Sequence, residues 1–130
     1  MESITYFKNI KIPPKKLRFL LPAIRKLSPS EALVKLLYTP KKSAKVLYQA
    51  IKSAMTNAKN NLKVNVDLLK FKALAVDGGN KLKRFRPGGR GTAKPFKRRF
   101  SHIKIILETK EKKQKKIEKI KSKIIKPKTK

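Results

Sequence analysis

The stretch that decides the fold runs from Phe71 to Glu108 and reads FKALAVDGGNKLKRFRPGGRGTAKPFKRRFSHIKIILE. It has an apolar entry at 74–76, a basic middle and an apolar exit at 103–107, which is typical of two strands joined far from a core. The segment Pro87-Gly88-Gly89-Arg90-Gly91 predicts the reversal, because proline presets φ and glycines accept the positive φ of tight turns. We therefore predict a β-hairpin over about 71–108 with its tip at about 86–93.

The outer half of this hairpin is strongly basic. An extended arm from Leu74 to Pro87 would reach about 40 Å, which is more than a small core covers. The segment from Lys81 to Arg99 holds nine basic residues and no acid, so its self-repulsion would be severe unless phosphates surround it. The arm is therefore predicted to enter nucleic acid, with phosphate contacts from Lys81, Lys83, Arg84, Arg86, Arg90, Lys94, Lys97, Arg98 and Arg99.

The composition agrees with this interpretation. The chain has 130 residues and a formal net charge of +30, from 37 Lys and Arg against 7 Asp and Glu, which favours a polyanionic partner. The length suits one domain with appendages. Cysteine is absent, so disulfides and thiolate metal sites are excluded. The apolar runs are too short for a bilayer span, and the N-terminal residues show no secretory or transit pattern. We expect no cofactor, no metal, no membrane association and no homo-oligomer.

Before the hairpin, the sequence predicts one strand and three helices. Ile4–Phe7 is β-prone and could pair beside the hairpin base. Pro13-Pro14 opens the first helix, in which Pro22 predicts a bend or a late start. Ser28-Pro29-Ser30-Glu31 predicts a capped start for the second helix.

Thr39-Pro40 predicts a repeat of that capping device before a third helix over about 41–60. Its apolar face includes Ala54, which we expect to approach the sheet closely. The predicted fold class is α+β, with three helices packed on a small antiparallel sheet, a long protruding β-hairpin and a basic C-terminal tail. Residues 1–108 would form a single RNA-binding domain. Residues 109–130 would form a lysine-rich tail that is disordered without RNA.

Several separate motifs resemble those of the bacterial and organellar large-subunit ribosomal protein twenty-two family. They lie in collinear order between about residues 5 and 108. They are Lys16-Leu17-Arg18, Ser53-Ala54 with Asn57-Ala58, Val76-Asp77-Gly78, Leu82-Lys83-Arg84-Phe85, Pro87, Arg90-Gly91, Ala93, Lys97-Arg98-Arg99 and Ser101-His102-Ile103.

The resemblance implies a non-enzymatic constituent of the large ribosomal subunit. Such a protein binds ribosomal RNA, supports subunit assembly and lines the polypeptide exit tunnel with its hairpin tip, formed here by Pro87, Gly88, Gly89, Arg90 and Gly91. Its partners would be large-subunit ribosomal RNA, neighbouring large-subunit proteins and the nascent polypeptide, on a cytoplasmic or alternatively an organellar ribosome. The resemblance also implies RNA contacts from Lys16, Arg18 and His102. Gly88 and Thr92 depart from the family, since arginines are common at both positions.

Other interpretations of these residues remain open from sequence. His102 is the only histidine, and a structural or RNA-contacting role is favoured over catalysis because no partner set for a general base is visible. Asp77-Gly78-Gly79-Asn80 favours a bulge over a phosphate loop. Phe85 and Phe96 could stack on unpaired bases or pair across the ribbon, whereas Phe100 leans towards the core.

Two rival functions belong to other classes of protein. An architectural DNA-bending protein would also use a basic β-arm with a proline at its tip, normally as one of two arms in a dimer. A cationic membrane-active protein would rely on the tail, but the tail offers only isoleucines as its apolar face.

Overall fold

The computed structural model describes residues 2–109, so the predicted tail lies outside the described residues, apart from Thr109. The described part has three strands, β1 (Glu2–Ile10), β2 (Leu69–Pro87) and β3 (Ala93–Thr109). Four α-helices lie between β1 and β2: α1 (Pro14–Arg18), α2 (Leu21–Ile24), α3 (Pro29–Leu37) and α4 (Lys42–Leu62). Short 3₁₀ turns occur at Val66–Leu68 and Gly89–Gly91. The predicted α+β class is confirmed.

The three strands form one antiparallel sheet in the order β1-β3-β2. The strand expected at Ile4–Phe7 is therefore present, and it pairs with β3 rather than with β2. Side chains alternate along β3: Ile103, Ile105 and Leu107 are buried, while the residues between them face away from the helices. The helices therefore cover one face of the sheet, and the core lies between the two layers.

The first predicted helix is divided into two short helices just before Pro22, the residue that predicted a bend or a late start. Pro22 lies in the first turn of α2, where its missing N–H removes no helical hydrogen bond, and α1 ends four residues earlier at Arg18. Both short helices still bury their leucine and isoleucine face, with Leu17, Leu21 and Ile24 almost inaccessible. The two helices therefore bury the same apolar side chains in the core that the single predicted helix would have buried.

The capping predictions had different outcomes. At α3 the capping box is present: the Ser28 hydroxyl accepts from the Glu31 N–H, and the Glu31 carboxylate accepts from the Ser28 N–H. The predicted repeat of this device at Thr39-Pro40 is wrong, because Lys41 is the N-cap of α4 and provides no side-chain cap. Thr39 instead belongs to the end of α3, where its hydroxyl donates to the Lys35 carbonyl at 2.8 Å.

Ala54 tests the close packing of α4. Its side chain is almost completely buried in the hydrophobic core, as the helical periodicity predicted. We expect Ala54→Leu to lower the free energy of unfolding by about 1–3 kcal/mol, because the added carbons must displace packed neighbours. Urea denaturation followed by circular dichroism measures the change. Ser53→Leu, at the adjacent exposed position, is the control, and equal stability of the two variants would contradict the packing.

Candidate nucleic-acid interface

The hairpin leaves the core at a β-bulge. Gly78 pairs with Ser101 and Lys81 pairs with Arg99, so β2 has one more residue than β3 between these pairs. The predicted bulge at Asp77–Asn80 is thus confirmed. A Cβ on Gly79 would lie 3.1 Å from His102 Nε2 and 3.1 Å from the carbonyl carbon of Phe100, so glycine lets the strands approach here.

His102 joins β1 to the base of the arm. Its Nδ1 accepts a hydrogen bond from the Asn9 backbone N–H at 3.1 Å, and its ring stacks on Tyr6 with centroids 5.9 Å apart. Because Nδ1 accepts, the proton of the neutral ring is assigned to Nε2, which faces Gly79. These are structural contacts, and no group of three or more His, Asp or Glu residues suited to a metal occurs within residues 2–109.

Beyond the bulge, the arm has no core of its own. Every residue from Lys81 to Arg99 is exposed except Gly88, which is partly covered by the tip turn. The ion pair found in the described part of the chain joins Lys72 of β2 to Glu2 of β1, outside the arm. The hydrogen bond to Glu2 raises the pKa of Lys72. The cations of the arm have no carboxylate partner among residues 2–109. Within the described part of the chain the outer arm is therefore exposed, and its positive charge is uncompensated.

The register gives the arm two chemically different faces. Directly opposed residues of an antiparallel pair point to the same side, so the pairs Arg84↔Phe96 and Arg86↔Lys94 share one face with Leu82 and Arg98. We call this set the arginine face. The opposite set, which we call the lysine face, contains Lys81, Lys83, Phe85, Pro95, Lys97 and Arg99.

This division settles how the phenylalanines are arranged. Phe85 and Phe96 lie on opposite faces, so the interpretation that they pair with each other across the ribbon is wrong. Phe96 is 38% exposed, and the Arg86 guanidinium lies over its ring at 5.1 Å. Phe85 is 74% exposed and opposes Pro95, which leaves its ring available to a partner. Phe100 is partly buried at the bulge, as its position suggested.

The tip is a tight turn closed by backbone and side-chain hydrogen bonds. The Gly88 N–H donates to the Thr92 carbonyl at 2.7 Å, and the Thr92 hydroxyl donates to the Gly89 carbonyl at 2.8 Å. Positive φ occurs at Arg90 and Gly91. A Cβ on Gly88 would lie 2.9 Å from the Thr92 carbonyl oxygen and 3.0 Å from its hydroxyl. Gly88 and Thr92, the two departures from the family pattern, therefore fit against each other.

The two basic residues predicted on the first helix have different surroundings. Arg18 donates through Nε to the Val76 carbonyl at 2.9 Å, on the free edge of β2. Arg25, which the sequence analysis missed, donates to the Leu74 carbonyl through Nε and Nη2. The Val76 and Leu74 carbonyls lie in an edge strand of the sheet, and the two arginines provide hydrogen bonds to them. Lys16 is exposed and lines a cavity with Lys11, Lys15, Lys41 and Lys42, four lysines that the sequence analysis also did not select.

The chain was compared with known proteins. The family described as Ribosomal protein L22p/L17e matches residues 5–108. A protein of Akkermansia muciniphila named Large ribosomal subunit protein uL22 is 41% identical over 111 residues, covering 85% of this chain and 99% of that protein. Proteins of the same name from Ligilactobacillus salivarius and Desulfotalea psychrophila are 38% and 37% identical, covering 79% and 83% of this chain and 90% and 98% of their own lengths.

Proposed function

Because this chain belongs to the ribosomal protein L22p/L17e family, we propose that it binds ribosomal RNA in the large subunit, supports subunit assembly and lines the polypeptide exit tunnel with its hairpin tip. Family membership makes it a structural component of the large ribosomal subunit and not an enzyme. Its further partners are neighbouring large-subunit proteins and the nascent chain. The relatives compared are bacterial, which supports a cytoplasmic ribosome over an organellar one.

The observation that carries the RNA-binding proposal is the bare arm. It projects nine cations from Lys81 to Arg99 with no acid among them, and no described carboxylate pairs with them. A free ribbon of this charge is electrostatically unfavourable, and phosphates on both faces would neutralise it while releasing counterions. In this proposal the cations of both faces position the RNA, while His102 and Arg18 act mainly by holding the arm's base.

The test of this function is co-sedimentation of the full chain with large ribosomal subunits in high salt. A chain embedded between RNA segments is expected to remain bound, because its contacts are buried from the solvent ions that screen exposed charges. Loss of association at moderate salt, together with persistent binding to duplex DNA, would favour the architectural DNA-bending alternative. Neither the helices that cover the sheet nor the single arm of the described residues provides an observation in favour of that alternative.

The domain boundary yields a prediction about residues 110–130. The hydrophobic core of the described residues is built from side chains between Ile12 and Leu107, so a chain ending at Thr109 is expected to keep its fold. It should bind RNA more weakly, with a lower dependence of affinity on salt, because eleven lysines are removed with two glutamates. Amide exchange and a salt titration of RNA affinity measure the two effects. Unfolded amides, or an unchanged salt slope, would contradict the proposed division.

The tunnel proposal predicts the effect of deleting Gly88-Gly89-Arg90. The tip is exposed and far from the core, so the deletion should change the free energy of unfolding little. Subunit association should survive, because most cations of the arm remain. The lining of the tunnel should change, which is measured by tunnel width and by sensitivity to tunnel-binding inhibitors in subunits that carry the deletion.

Two outcomes would oppose this assignment of the tip. Failure of assembly would make the tip an element of RNA folding rather than a lining. An unchanged tunnel and unchanged inhibitor response would mean that the tip does not reach the wall. Thr92→Ser is the control. It changes a residue of the tip but keeps the hydroxyl that donates to the Gly89 carbonyl, so the turn should stay intact and the tunnel lining should not change.

A further inference from the structure

A second basic site lies among the helices, away from the arm. It is an open cavity of about 710 Å³ between the α1 region and the start of α4, lined by Lys11, Lys15, Lys16, Lys41, Lys42 and Phe19. None of its lining residues is acidic. Five ammonium groups around one cavity favour a ligand that carries negative charge.

Phe19 gives this cavity an aromatic surface. Phe19 is the residue that follows α1, and its side chain is 71% exposed, which is unusual for a phenylalanine. The Lys41 ammonium lies over its ring at 4.5 Å. One face of the ring is therefore in contact with the ammonium of an exposed lysine rather than with packed side chains, and a planar group could take the place of that cation.

The start of α4 contributes hydrogen-bond donors to the same cavity. The helix is 21 residues long, no side chain caps its first amides, and its first turn contains no acid. Ser43, in this first turn, is more than nine-tenths buried and lines the cavity. Its hydroxyl forms no hydrogen bond with any residue in the described part of the chain. The Ser43 hydroxyl and the uncapped amides beside it are hydrogen-bond donors at the edge of the cavity, and together they suit an oxyanion as acceptor.

We propose that this cavity binds one unpaired nucleotide of RNA, with the phosphate at the start of α4 and the base stacked on Phe19. The proposal rests on the proposed RNA-binding function and adds a defined subsite to it. Stacking of a base on an aromatic ring changes affinity by about 5- to 150-fold, against about 2- to 5-fold for an exposed cation–π contact. The base therefore displaces the Lys41 ammonium, which moves to the phosphate.

The experiment uses tryptophan as a local reporter, because the chain contains none. In Phe19→Trp, a single-stranded oligoadenylate should quench the fluorescence of the new indole. The same strand in duplex with oligouridylate should not, because its bases are already stacked and paired. Inorganic polyphosphate, which lacks bases, should also leave the emission unquenched. Tyr6→Trp is the control, since Tyr6 also has a lysine near its ring, Lys8 at 5.8 Å, but does not line this cavity.

Two further variants connect the quenching to the phosphate end of the site. In the Phe19→Trp chain, Lys42→Gln and Ser43→Ala should each raise the oligoadenylate concentration that gives half-maximal quenching, by about tenfold for the lysine. Lys52→Gln, an exposed lysine later in α4, should have a much smaller effect. Circular dichroism confirms that each variant is folded.

The outcomes separate this proposal from the proposed function. Equal responses of Phe19→Trp to polyphosphate and to oligoadenylate would overturn the nucleotide and leave only an anion site. Absence of quenching, or equal quenching of the Tyr6→Trp control, would overturn the site altogether. Neither result affects subunit association, which the high-salt co-sedimentation of the unsubstituted chain tests independently.

Discussion

Replacing Lys81, Lys83 and Lys97 together with glutamine is expected to weaken binding to large-subunit ribosomal RNA by about a thousandfold. These three lysines lie on the lysine face of the arm, where none has a carboxylate partner among the described residues. A hydrogen bond to a charged group contributes about 1.5–3 kcal/mol, so each lost phosphate contact reduces the affinity by about tenfold or more. The effect should be largest at low salt.

The salt dependence of the affinity tests the same contacts independently. Each phosphate contact contributes about 0.7–0.9 to the slope of log affinity against log salt, so the triple variant should lose about two to three units of slope. The matched control replaces Lys45, Lys52 and Lys59 with glutamine. These lysines are exposed along one stripe of α4, and their loss changes the net charge by the same amount. Filter binding over a range of salt concentrations measures both quantities.

The control distinguishes binding through specifically positioned arm residues from binding that depends only on the net charge of the protein. If the two triple variants lost affinity and slope equally, net charge alone would govern binding and the arm would have no special position. The proposal requires the arm variant to lose far more than the α4 variant. Arm substitutions should not change the free energy of unfolding appreciably, because residues 81–99 contribute no buried side chain.

Much of this arrangement could be predicted from sequence because its determinants are local. The tip turn, the bulge at Asp77–Asn80 and the Ser28 capping box each depend on residues within a few positions of one another. The bare arm was predictable for a similar reason, since a long run without acids is visible in the sequence alone. Local chemistry failed only where two similar signals competed, as at Thr39-Pro40, where Lys41 became the N-cap.

The features that sequence analysis missed depend on distant residues meeting in space. Arg25 and Leu74 are 49 positions apart, and no local pattern indicates that this guanidinium covers the edge of β2. The separation of Phe85 from Phe96 requires the register of the ribbon, because a shift of one residue would place both on the same face. The lysine cavity likewise joins the α1 region to the start of α4. The sequence therefore indicated candidate sites built from one segment and did not indicate candidate sites built from two segments.

Ile105→Ala is expected to have the largest effect on stability, lowering the free energy of unfolding by about 2–5 kcal/mol. Ile105 lies in the central strand, is fully buried, and pairs with Thr5 of β1 and Leu74 of β2. Truncation removes three carbons from the middle of the core, and the strands on both sides limit how far the cavity can collapse. For a small domain this is a large part of the total stability.

Ile106→Ala is the matched control, because it makes the same chemical change one position along the same strand. Ile106 is half-buried on the opposite face and pairs with the exposed Ile4. Both variants lose the same β-propensity, so the difference between their free energies of unfolding isolates burial. We expect Ile106→Ala to cost about 1 kcal/mol, as measured by urea denaturation. A one-residue slip of β3 would exchange the two positions. Reversed losses would therefore show that β3 presents its other face to the helices, and the division of the arm into arginine and lysine faces would have to be reassigned with it. Equal losses would contradict the difference in burial between the two positions.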